Sequence, residues 1–110
     1  MSASSDDNAQ PGDDLADAAS TDTAMVTDTA TLPPDVALHA RPAAEVVRAA
    51  ARLPIPVTLS ANGKRANAKS ILEVLALGAT GGSVVTLSAS GPDASEAIAV
   101  LHALIEGLRP

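Results

Sequence analysis

From Met25 onward, the apolar positions switch between a two-residue and a helical period. Val26, Ala30 and Leu32 alternate with Thr27, Thr29 and Thr31, the period of a half-buried strand, with Asp28 interrupting the apolar side. Pro33-Pro34-Asp35 ends that strand in a loop leading to His39. Ala43, Val46, Val47, Ala50 and Leu53 then recur at helical spacing, which predicts a helix over residues 40–52 with Arg48 and Arg52 on another face. Pro54 and Pro56 stop this helix and admit a strand in which Val57 and Leu59 face the core. Asn62-Gly63 is a tight-hairpin signal that turns the chain into a second short strand through 64–68.

Ser70-Ile71-Leu72-Glu73 has the form of a helix-opening capping box, and Gly78 is placed to end that helix. Ile71 and Val74 make its core line, and Leu72 falls off it. Gly81-Gly82 precedes a strand whose Val85, Leu87 and Ala89 alternate with Val84, Thr86 and Ser88. Ala94, Ala97, Ile98, Leu101, Leu104, Ile105 and Leu108 form an apolar stripe on a long last helix. His102 lies between stripe residues with no motif nearby, and is read as structural or exposed. The order is βαββαβα, and helices that share one partner surface predict an α+β sheet with its helices on one face.

Composition sharpens this picture. The chain has 110 residues, enough for one domain, and a formal charge of −6. Before Met25 lie Asp6, Asp7, Asp13, Asp14, Asp17 and Asp22 with no base, so the whole net charge belongs to that stretch. From Met25 on, seven bases balance seven acids. Residues 1–24 carry a single large aliphatic, Leu15, and are read as a disordered acidic extension or as a start placed too early; 25–110 is the folded domain. The acidic balance and the lack of Phe, Trp and Tyr argue against nucleic-acid binding. Cysteine is absent, which removes thiolate chemistry and cysteine metal sites. No signal-peptide pattern or membrane-spanning run occurs, so a cytoplasmic protein without membrane insertion is expected. Nothing calls for a metal or a nucleotide, since Gly81-Gly82 alone is too little for a phosphate loop.

The candidate chemistry sits at Leu38-His39-Ala40-Arg41-Pro42. His39 stands immediately before a helix start, beside free backbone N–H groups and the positive end of the helix dipole, which favour an anion on its ring. Pro42 fits the first turn, where an N–H would lack a helical partner. Arg41 adds a planar, permanently charged fork suited to phosphate oxygens. Imidazole is a good nucleophile near neutral pH, its unperturbed pKa being ~6.5. These residues together point to a histidine that carries a phosphoryl group.

The chain resembles the HPr family, the small phosphocarriers of the phosphoenolpyruvate-dependent sugar phosphotransferase system. The resemblance runs from Met25 to the end and rests on Leu38-His39-Ala40-Arg41-Pro42-Ala43, Asn62-Gly63-Lys64, Asn67-Ala68-Lys69-Ser70-Ile71 and Leu75-Ala76-Leu77-Gly78-Ala79. It implies an open-faced β-sandwich, four antiparallel strands under three helices, in a monomer without cofactor. It implies that Enzyme I passes a phosphoryl group to His39 through Nδ1, with Arg41 as charge partner. The group would then go to sugar-specific IIA proteins, making the protein a carrier and not an enzyme. Ser70 matches the family's regulatory serine, which would add a serine kinase and a transcriptional regulator as partners.

The chain departs from the family pattern at two positions. Glu73 would repel a phosphate on Ser70, and the capping box already explains that serine. Ala37 stands where the family usually has glycine, so a positive φ there would be strained. Leu72, Leu75, Arg48 and Arg52 are candidates for a mildly basic, apolar-centred docking patch. Two other readings stay open: a carrier in a nitrogen-related or dihydroxyacetone-kinase phosphorelay, or a regulatory module read by partner proteins. Retention of His39 with Arg41 favours a carrier.

Overall fold

The structure, a computed structural model, describes residues 25–110; the expectation for residues 1–24 lies outside them. Its elements are β1 (Met25–Thr31), α1 (Ala40–Ala51), β2 (Thr58–Ala61), β3 (Lys64–Asn67), α2 (Ile71–Ala76), β4 (Val84–Ser90) and α3 (Ala94–Glu106). The four strands form one antiparallel sheet in the order β1-β4-β2-β3. Leu59 of β2 stands opposite Leu87 of β4 and Ala66 of β3, which brings three core residues into one row.

Alternation along the strands decides which face is covered. Ala30, Leu59, Ala66, Val85, Leu87 and Ala89 are buried beneath the helices. Thr27, Thr29, Ser60, Thr86 and Ser88 occupy the other, open face, where none is buried. Ala43, Val46 and Ala50 of α1 and Ala97, Ile98, Leu101 and Ile105 of α3 complete the core from above. Every buried residue among the described ones is apolar, and with no aromatic in the chain the core is aliphatic throughout. No helix among the described residues is long and apolar enough to cross a membrane.

Asp28, the acid on the apolar side of β1, finds its explanation in α3. Its Oδ2 lies 3.4 Å from His102 Nδ1, and His102 Nε2 lies 3.5 Å from Glu106 Oε1. Glu106 Oε2 in turn accepts the Thr31 N–H at 3.1 Å, the hydrogen bond that ties α3 to the outer strand beside the His102–Asp28 approach. His102 is thus half-buried and structural.

The hairpin is a tight turn with φ of 55° at Asn62 and 74° at Gly63, both in the left-handed region that Asn-Gly tolerates. Asn62 has a second task. Its Nδ2 donates to the carbonyls of Leu77 at 2.9 Å and Gly78 at 3.2 Å, satisfying the C-terminal end of α2.

Beyond the strand ends, Leu32 N–H donates to Ser83 C=O at 2.9 Å and Gly82 N–H to Leu32 C=O at 3.1 Å, prolonging the contact between β1 and β4. Gly81 there packs backbone against backbone: a Cβ would lie 2.0 Å from the carbonyl oxygen of Pro34. Replacing Gly81 with alanine therefore forces the two loops apart. Gly81→Ala is expected to lower unfolding free energy by about 1–3 kcal/mol, the usual cost of overpacking, read from urea denaturation at an unchanged m-value.

Candidate functional site

The loop from Pro33 to Leu38 delivers His39 to the start of α1. Val36 N–H closes a turn onto Pro33 C=O at 3.1 Å, and Leu38 N–H donates to Ala79 C=O at 2.9 Å. The Val36 and Leu38 side chains are buried, so the core itself grips the loop on either side of Ala37. His39 follows as the N-cap of α1, exposed, with extended backbone (φ −137°, ψ 169°).

Its side chain makes no capping hydrogen bond. His39 N–H is taken by Ala37 C=O at 2.9 Å, whereas those of Ala40 and Arg41 donate to no group among the described residues. Pro42, next in line and buried, has no N–H to satisfy. The helix start thus keeps two amide donors open beside an exposed imidazole, the arrangement that holds an anion. Arg41 is exposed and engages no carboxylate among the described residues. An anion on the ring would lie within the dipole's reach with water still around it.

Ala37 does not take the left-handed conformation that the absence of glycine there had raised as a concern. The strained residue is Ala40, with φ of +39°. A non-glycine residue in that region costs of order 1–3 kcal/mol and persists only where its surroundings over-determine it. Here the buried Leu38 on one side and Pro42 on the other do so. Sequence reasoning missed this, because alanine carries no signal of positive φ.

Ser70 caps α2 as expected, its Oγ accepting Glu73 N–H at 3.3 Å. The reciprocal half of the capping box is not made. Glu73 Oε1 accepts Asn67 N–H at 2.8 Å, and Ser70 N–H goes to Asn67 C=O at 2.9 Å. Glu73 therefore ties α2 back to the end of β3. Lys69 Nζ donates to Leu53 C=O at 3.3 Å, joining the start of α2 to the end of α1.

The outer side of α2 is apolar. Leu72 is 77% exposed, Ile71 38% and Leu75 37%, whereas Val74 and Leu77 are buried. Ile71 departs from the expected core line: it directly follows the cap, and burial begins only at Val74. Arg48 and Arg52 are exposed on α1 and line a shallow groove with Glu45, Ala49 and Leu104, on the side facing α3. Arg52 lines a second shallow groove with Asp93 and Glu96, and Leu72 and Leu75 line neither of these two. At 100° per residue, Arg48 and Arg52 instead fall on one stripe of α1 with Arg41.

A family model described as "PTS HPr component phosphorylation site" matches residues 26–107. The phosphocarrier protein HPr of Vibrio cholerae serotype O1 is 46% identical over 71 residues, 64% of this chain and 84% of that protein. The crystal structure of the phosphocarrier protein HPr from Bacillus anthracis str. Ames matches with a TM-score of 0.71 at 36% identity, covering 76% of this chain and 99% of that one. The solution structure of Crh, the Bacillus subtilis catabolite repression HPr, matches with a TM-score of 0.57 at 37% identity, covering 76% of this chain and all of that one. An open-faced antiparallel sheet under three helices, with these matches, defines a small phosphocarrier of the phosphotransferase system. The chain belongs to the HPr family.

The α2 geometry separates cap from surface. Ser70→Ala is expected to lower stability by about 1 kcal/mol through loss of the cap. Leu72→Asp, at an exposed position, should stay within about 0.5 kcal/mol of the parent. Thermal denaturation followed by circular dichroism checks both.

Proposed function

We propose that His39 accepts a phosphoryl group from phosphorylated Enzyme I and donates it to IIA proteins of sugar uptake. The observation that carries this reading is the exposed imidazole at the start of α1 beside two open amides. The Nδ1 lone pair of neutral His39 attacks phosphorus, and the N–P bond forms as the bond from phosphorus to Enzyme I breaks. That electron pair leaves with Enzyme I. The IIA step repeats the displacement in the forward direction, returning the Nδ1 lone pair to His39. The open amides of Ala40 and Arg41 and the Arg41 fork stabilise the phosphoryl oxygens in both steps. Because the site is exposed, that stabilisation stays moderate and the group remains transferable. The protein itself is substrate, then donor, and turns over nothing alone.

The exposed Ile71, Leu72 and Leu75 form the apolar centre on which Enzyme I and IIA dock, an area suited to a short-lived contact. Ser70 serves as the α2 cap. A phosphate on it would face the Glu73 carboxylate, whose backbone N–H the serine already binds. The likeness to Crh gives a second reading, a module recognised by a regulator or enzyme, in which His39 would have no chemical task.

Incubation with Enzyme I, magnesium and phosphoenolpyruvate, followed by intact mass and peptide mapping under non-acidic conditions, tests the carrier. One acid-labile phosphoryl group on His39, absent in His39→Ala, is the expected result. A folded protein left unlabelled by an Enzyme I from the same cell would transfer the weight to the regulatory reading. Arg41→Ala is expected to lower kcat/KM for phosphorylation about tenfold or more, since a charge-assisted hydrogen bond is worth about 1.5–3 kcal/mol. Leu72→Asp should weaken Enzyme I binding about tenfold with the fold intact, as burying a new charge at the centre of a contact demands. Unchanged binding by calorimetry would remove Leu72 from the interface.

A further inference from the structure

Asn62 carries more than the hairpin needs. A two-residue turn with both φ angles positive accepts Gly-Gly or Asp-Gly as well as Asn-Gly. What asparagine adds at the φ of 55° is a side-chain NH2 group, which can serve two acceptors at once. Both of its N–H donors are used, on Leu77 C=O at 2.9 Å and Gly78 C=O at 3.2 Å. These bonds reach neither His39 nor the exposed side chains of Ile71, Leu72 and Leu75.

The two carbonyls belong to a run held at every member by a group from elsewhere in the fold. Lys64 Nζ donates to Ala76 C=O at 3.4 Å, Asn62 to Leu77 and Gly78, and Leu38 N–H to Ala79 C=O at 2.9 Å. Leu77 and Ala79 are buried, and Gly78 turns between them with φ of 64°. At the far end of this run stands Leu38, the residue directly before His39. Its N–H has Ala79 as its one backbone partner among the described residues, so a shift of Ala79 is passed to Leu38 and on to His39. Without the Asn62 amide the part-buried Leu77 carbonyl is left unpaired, and the run must move to satisfy it.

We propose that Asn62 is a positioning residue for phosphoryl transfer. Through Leu77, Gly78 and Ala79 it fixes the Leu38 backbone, and so the place of the His39 imidazole and of the open amides of Ala40 and Arg41. Its effect on transfer rests on the phosphocarrier reading above; its hold on Leu38 does not. Ser70 and the buried Val74 hold α2 independently, so losing Asn62 disturbs alignment at the histidine and spares docking.

Two variants of the full chain test this. Asn62→Gly keeps the turn and deletes the amide, and Asn62→Asp keeps the turn and sets a carboxylate against the two carbonyls. Glu106→Ala, which removes the hydrogen bond from α3 to Thr31, controls for general loosening. In both Asn62 variants kcat for phosphorylation by Enzyme I should fall about three- to tenfold with KM within about twofold, since a ~1 Å misplacement costs about a hundredfold. In Glu106→Ala kcat should stay within about twofold. Hydrogen exchange at the Leu38 amide should quicken about three- to tenfold in Asn62→Gly, the range of one lost hydrogen bond. The Leu32 amide, bonded to Ser83 C=O at the other end of the same loop, should quicken much less. Equal quickening of both amides, or none at Leu38, overturns the hold of Asn62 on the loop. A raised KM at unchanged kcat, or a fall in kcat shared by Glu106→Ala, overturns its part in transfer, as does unchanged kcat with Leu38 loosened. Failure of Enzyme I to label even the parent defeats the carrier reading, and exchange at Leu38 then decides the hold by itself.

Discussion

His39 is held where it is by a contact between two stretches of backbone with no side chain between them. Gly81 lies so close to the Pro34 carbonyl that a single methyl group would not fit. Around that contact, Leu32 pairs with Ser83 and Leu38 with Ala79, so the loop before α1 is an extension of the sheet. Val36 and Leu38 plug it into the aliphatic core. The rigidity of the core is thereby passed to the residues beside the imidazole. It also keeps Ala40 in a backbone conformation it would not adopt alone.

The short helix α2 illustrates the reverse economy, structure held by polar groups so that apolar ones stay outside. Six residues are too few to be helical on their own in water. Ser70 satisfies its N-terminal end, Asn62 and Lys64 its last carbonyls, and Glu73 and Lys69 tie it to β3 and α1. Only Val74 within the helix and Leu77 just after it are buried. This leaves Leu72 mostly outside the packing, with Ile71 and Leu75 each more than a third exposed beside it.

In the proposed reaction the exposure of the histidine matters as much as its neighbours. Open amides and one arginine lower the energy of a phosphoryl group without enclosing it, so two different partners can reach the same atom in turn. A carrier has to bind its cargo less tightly than a receptor would. A solvated helix start provides that moderation, because water screens each favourable term.

Much of this molecule was readable from its hydrophobic periods. The seven elements, the one-sided sheet and the aliphatic core follow from which positions alternate and which recur every three or four residues. The Asn62-Gly63 turn and the Ser70 cap follow from local backbone preferences, which need only neighbours in sequence. His39 and Arg41 stood out for the same reason, since a helix start is a local event. What only the tertiary structure decided are relations between distant segments. Asn62 capping a helix fifteen residues later, Asp28 meeting His102, and Glu73 leaving its box for Asn67 are such cases. So are the strain at Ala40 and the exposure of Ile71. Side-chain partners across the fold depend on strand order and loop approach, which carry no period along the chain.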